Sequence, residues 1–171
     1  MAEFNQIGLG SEQEAFNSLG RALYGLLTPG STRVEFESNV LRGTSSTRVR
    51  VFSPSGQLSL ESMGERYSSP GSSWEIDDLA EALRDACYRE GKGTWFSVKI
   101  VVHATGSARA EYNYDLEPEV FPGDAAPDPA AYVEDQEFFP RDISAQPEWL
   151  RQRLAEGQAH IEASGNRRRR Q

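Results

Sequence analysis

The sequence predicts an α+β domain: a five-stranded antiparallel sheet with helices packed on one face, in the order α-β-β-β-α-β-β-α. Three observations carry this. Apolar residues alternate with polar ones through most of residues 32–60 and 94–115, the period of a half-buried strand. They recur at helical spacing in 16–27, 76–87 and 149–154. Stretches rich in Gly, Ser and Pro separate the runs.

The first helix is expected from Ser11, which stands at capping-box spacing from Glu14. Phe16, Leu19, Leu23, Leu26 and Leu27 form its apolar stripe, and Thr28-Pro29-Gly30 stops it. Gly20 and Gly25 mark either a close neighbour or a helix that depends on tertiary packing. Three strands follow. Val34, Phe36 and Val40 alternate with Arg33, Glu35, Glu37 and Asn39, and residues 42–46 turn the chain. Val49 and Val51 alternate with Arg48 and Arg50, and Pro54-Ser55-Gly56 turns again into Leu58 and Leu60. Residues 61–73 read as a loop.

Ser72 and Glu75 repeat the capping spacing before a second helix with Ile76, Leu79, Ala80, Leu83, Ala86 and Cys87 inward. Then comes the central hairpin. Val98, Ile100 and Val102 share one face, with Lys99, Val101 and His103 on the other. Gly106 serves the turn, and Ala108, Ala110, Tyr112 and Tyr114 oppose Arg109, Glu111 and Asn113 on the return. Pro147 suits the first position of a last helix bearing Trp149, Leu150 and Leu154. The chain therefore divides into a flexible leader (1–10), a single domain (11–156) with an acidic, Pro-rich loop (116–142), and a disordered Arg-rich tail (157–171).

The 171 residues carry a formal net charge of −8, with a pI near 4.9. That argues against nucleic-acid binding and permits a basic protein partner. The single cysteine, Cys87, allows no disulfide framework. No signal peptide or membrane span is visible, so the expected site of action is the cytoplasm. Catalytic, metal and cofactor residues are expected to be none. His103 and His160 lack metal-ligand spacing, and Gly91-Lys92-Gly93-Thr94 precedes a strand where a phosphate loop needs a helix. An enzyme using Glu111, Asp115 and Tyr112 or Tyr114 is the weakest of the functional readings.

The sharper signal is acidic. Asp115, Glu117, Glu119, Asp124, Glu134, Asp135 and Glu137 are interleaved with Phe121, Tyr132, Phe138 and Phe139, and Arg141 is the sole base nearby. Acids around aromatic anchors suit a hot spot for a basic protein. They equally suit a solvated loop whose aromatics cap the core.

Four blocks resemble one family. Gly93-Thr94-Trp95-Phe96, Glu111-Tyr112-Asn113-Tyr114-Asp115, Phe138-Phe139-Pro140-Arg141-Asp142 and Pro147-Glu148-Trp149-Leu150 resemble, in order and spacing, the YezG-like immunity proteins of bacterial polymorphic toxin systems. The chain differs in its Pro/Ala insert (122–129) and its arginine tail. The resemblance implies a cytosolic antitoxin, a monomer when free, that binds one cognate toxin, a nuclease or NAD-degrading enzyme, and blocks its active site. The expected contacts are Tyr112, Tyr114, Asp115, Glu117, Glu119, Phe121, Asp124, Tyr132, Glu134, Asp135 and Glu137. Trp95, Phe139, Pro140, Trp149 and Leu150 are expected to lock the last helix in place. The alternative is a secretion-chaperone-like protein that holds an exported segment on an apolar sheet face.

Overall fold

A computed structural model describes residues 2–59 and 70–168. The element order is α1 (Ala2–Tyr24), β1 (Arg33–Leu41), β2 (Thr44–Ser53), β3 (Gly56–Gln57), α2 (Pro70–Ala86), β4 (Ser97–His103), β5 (Ala108–Asn113), α3 (Pro129–Phe138) and α4 (Glu148–Arg168), with a 3₁₀ turn at Ile143–Ala145. The strands form one antiparallel sheet in the order β3-β2-β1-β4-β5. The α+β class and the order of elements through β5 are those expected; after β5, where one helix is expected, the chain forms both α3 and α4.

Element boundaries differ in informative ways. α1 starts at Ala2 and passes through Ser11, so that serine does not cap it. α2 likewise starts at Pro70, ahead of Ser72. The β1–β2 turn is only Arg42-Gly43, with Gly43 at φ 73°, and β2 therefore begins three residues earlier than the expected 42–46 turn allows. β3 is two residues long, and Leu60 with most of the expected 61–73 loop lies outside the described residues. Helix continues through residues 157–168, where a disordered tail is expected. The acidic stretch contains the whole of α3.

The chain divides into two compact units. The first comprises Met1–Ser38, Thr47–Cys87 and Ser97–Tyr112. In it, Leu19, Leu23, Val34, Phe36, Val51, Leu83, Ile100 and Val102 are fully buried, and α1 packs on α2 and β4. Burial of such side chains is the main stabilising term, about 1.5–3 kcal/mol each. Gly20 has no atom near its missing Cβ, so it marks no close neighbour. The opposite face of β1 carries an ion-pair ladder. Arg33 Nε meets Glu35 at 2.8 Å, Arg50 bridges Glu35 and Glu37 at 3.3 and 2.8 Å, and Lys99 reaches Glu37 at 3.7 Å. A part-buried polar chain joins Ser38, Thr47 and Asp77 at 2.8 Å each.

The second unit comprises Asn39–Ser46, Tyr88–Phe96 and Asn113–Gln171. Its core is Leu41, Phe96, Tyr132 and Leu150, with Ala131, Trp149 and Leu154 packed against them. Leu150 and Trp149 take the locking role expected of them. Trp95 and Phe139 are buried, whereas Pro140 is exposed.

Candidate functional site: a pinned acidic segment

Residues 114–128 have no regular secondary structure, yet side chains fix much of their course. Asn113, the last residue of β5, begins this. Its Oδ1 accepts the N–H of Leu116 at 2.9 Å and of Asp115 at 3.3 Å, and its Nδ2 donates to the Leu116 carbonyl at 2.8 Å. Such an Asx arrangement offers the backbone the partners that a strand or helix would otherwise supply. Further along, Trp149 Nε1 donates to the Asp115 carbonyl at 2.7 Å. Asn39 Nδ2 donates to the Glu119 carbonyl at 2.8 Å. The Ser46 hydroxyl donates to the Asp124 carboxylate, and the Asp124 N–H closes a turn onto the Phe121 carbonyl at 3.0 Å. Gly123 takes φ 94° within that turn, a region that side chains rarely tolerate.

Arg153 of α4 anchors Glu117. Its Nε meets Glu117 at 2.7 Å, and its Nη1 meets Glu156 at 2.8 Å. Glu117 first, then Glu156, raise the Arg153 pKa above its already high ordinary value, while Arg153 and Gln152 hold the Glu156 carboxyl below its own. These pairs are exposed enough that water screens them, so they orient the segment more than they stabilise the fold.

What the segment presents is acidic and apolar together. Asp115, Glu117, Glu119 and Asp124 are exposed. Between them Leu116 is 72% exposed and Val120 45%. Neither apolar residue was expected at the site. The signal was there: single apolar residues between acids in a stretch with no period have no core to face.

The structure sorts the remaining expected contacts. Tyr114 and Phe121 are half-buried within the segment, and Glu134 and Glu137 are exposed on α3. Tyr112 is half-buried and belongs to the first unit. Two residues are corrected. Tyr132 is 4% exposed in the second core, where burial, with Glu117 adding, pushes its phenol pKa up. Asp135 is 5% exposed, and its Oδ1 accepts the Arg42 N–H at 2.7 Å. Both are structural: α3 turns one of its faces, acid included, into the unit.

Arg141 is the other surprise. It is buried, its guanidinium donates to the Thr94 carbonyl and lies 4.5 Å over the Phe96 ring. Its own carbonyl accepts Gln136 and Gln146 at 3.0 and 3.1 Å. Gly91 and Gly93, at φ 73° and 75°, make the seat. A Cβ on Gly93 would overlap the Arg141 side chain, and one on Gly91 would press on Asp142. The Gly-Lys-Gly stretch is thus a structural turn that seats Arg141.

Chemically the segment offers carboxylates and a projecting leucine, a surface for a partner with cationic groups around an apolar hollow. Among the described residues no group of three His, Cys, Asp or Glu side chains is placed to hold a metal ion. Neither the family models nor the curated proteins searched match the chain. No helix among the described residues is long and apolar enough to cross a membrane.

Proposed function

We propose that this protein is an immunity protein that neutralises a cognate toxin domain by stoichiometric binding over the toxin active site. The observation that carries the reading is the pinned segment: Leu116 and Val120 project among acids from a backbone already held by Asn113, Trp149 and Asn39. A loop ordered before binding loses little conformational entropy on association, so its contacts count almost fully toward affinity. Toxins that act on nucleic acid or on a phosphate-rich cofactor such as NAD need basic clefts, and an acidic segment complements such a cleft. The resemblance to YezG-like immunity proteins points the same way. The chaperone alternative draws no comparable support, because the β1 face opposite the helices carries ion pairs instead of an apolar surface.

The test is co-expression of the tagged chain with the toxin domain encoded beside it, followed by size exclusion and a toxin assay. A complex with one toxin per chain and no residual activity is expected. Asn113→Ala, which releases Leu116, should weaken that complex while leaving the circular dichroism spectrum unchanged. A toxin that stays fully active in the presence of excess protein rules the reading out.

A further inference from the structure

We propose that the outer edge of β5 pairs with the same edge of a second copy of this chain, antiparallel, about a two-fold axis at Ala110. The surface is distinct from the pinned segment, and the inference does not depend on toxin binding. It departs from the monomer expected from the sequence.

β5 ends the sheet, with β4 on its inner side. Ala108, Arg109 and Glu111 are exposed. The backbone parity of the strand follows from two bonds toward β4. His103 N–H donates to the Ser107 carbonyl and Phe96 N–H to the Asn113 carbonyl, both at 2.8 Å. In an antiparallel pair, residues alternate between turning their N–H and C=O toward one neighbour and toward the other. Odd-numbered residues of β5 therefore face β4, and Ala108 and Ala110 offer theirs outward.

The side chains select the register. With the axis at Ala110, the two Ala110 residues exchange both N–H···O bonds. Arg109 then stands opposite Glu111 of the other copy, and Glu111 opposite its Arg109, in the closely spaced kind of pair. Shifting the axis to residue 109 puts arginine on arginine, and shifting it to 111 puts glutamate on glutamate. Both place like charges directly opposite one another, which is unfavourable. An edge bearing charge of one sign repels its own copy, the usual protection of exposed strands. The Arg-Ala-Glu sequence does the reverse in one register and keeps the protection in its neighbours. The small alanine on the axis lets the strands approach.

Sedimentation of the full chain over a wide concentration range tests this. A monomer–dimer equilibrium is expected, with the Ala110 amide protected from hydrogen exchange in the dimer. Glu111→Arg turns both attractive pairs repulsive and should weaken the dimer by about tenfold. The double exchange Arg109→Glu with Glu111→Arg should restore it, because the same axis again sets opposite charges together. Ala110→Pro removes an amide that points away from β4 and should abolish the dimer while retaining the fold, since an edge strand tolerates proline there. A monomer at every concentration overturns the proposal. So does a dimer indifferent to Glu111→Arg, or a charge exchange that fails to restore it. Protection of Ala110 only when toxin binds would assign the edge to that partner and overturn self-pairing.

Discussion

Trp149 shows how much one side chain can organise. Its ring meets Phe96 edge-on at 5.0 Å and Tyr132 at 6.0 Å, and its indole N–H holds the Asp115 carbonyl. Full burial would make Trp149→Ala cost 3–5 kcal/mol, but the ring is half-buried, so about 2–3 kcal/mol is expected. Trp149→Phe keeps the ring contacts and loses the hydrogen bond, about 1 kcal/mol. Urea midpoints check both, and equal losses in the two variants would refute this division between packing and hydrogen bond. Asp128 gives a pH prediction. The Ala130 N–H and then His160 hold its carboxyl below the ordinary 3.8. The folded value lies below the unfolded one, so the contribution is present above the unfolded value and lost as pH falls through the folded one. A carboxyl NMR titration should place Asp128 below 3.8, and His160→Ala should raise it only part-way, since Ala130 remains. A midpoint at or above 3.8 in the parent would overturn the assignment.

At the scale of elements, glycines separate close packing from mere helix interruption. Gly157 is buried in the middle of α4, where a Cβ would overlap the Pro129 carbonyl of α3 and come within 2.8 Å of Val133. Gly157→Ala should force the helices apart and cost about 1–3 kcal/mol. Gly20 sits in α1 with open space around it, so Gly20→Ala should stabilise by about 0.5–1 kcal/mol. Thermal unfolding of the pair decides the matter, and a stabilising Gly157→Ala would show that α3 and α4 are not in close contact. The same residue shows where sequence reading stops. Sheet and helix stripes were legible because burial repeats with the period of the element, as in Val34, Phe36, Ser38 and Val40. Gly157 looked like the end of a helix because its partner, Pro129, is far away in sequence. Asp135 looked like a partner-facing acid for a similar reason. Charge counting cannot tell a carboxylate that satisfies a backbone amide, here that of Arg42, from one that faces solvent. Six of the expected contacts, Tyr114, Asp115, Glu117, Glu119, Phe121 and Asp124, do fall on the pinned segment, while Leu116 and Val120, single apolar residues between the acids, were not among them.

For the whole molecule, the net charge of −8 becomes a statement about kinetics. For the partner proposed above, a basic toxin, an acidic surface raises the encounter rate and contributes less to how long the complex lasts. Glu117 is a poor residue for probing this, since reversing it would strand Arg153 and disturb the segment it anchors. Glu119, Glu134 and Glu137 are exposed, and the backbone anchor at Glu119 is its carbonyl, which a side-chain change leaves in place. Reversing all three to lysine should slow toxin association by tenfold or more at low salt, with a gap that narrows as ionic strength shortens the screening length to about 8 Å at 0.15 M. Dissociation should change much less. Leu116→Ala is the complementary probe. It should leave the association rate and its salt dependence nearly unchanged while raising the dissociation rate, because an apolar anchor acts after encounter. Stopped-flow measurement of both variants separates steering from anchoring. Identical association rates for parent and triple reversal at every salt concentration would mean that Glu119, Glu134 and Glu137 play no part in finding the partner.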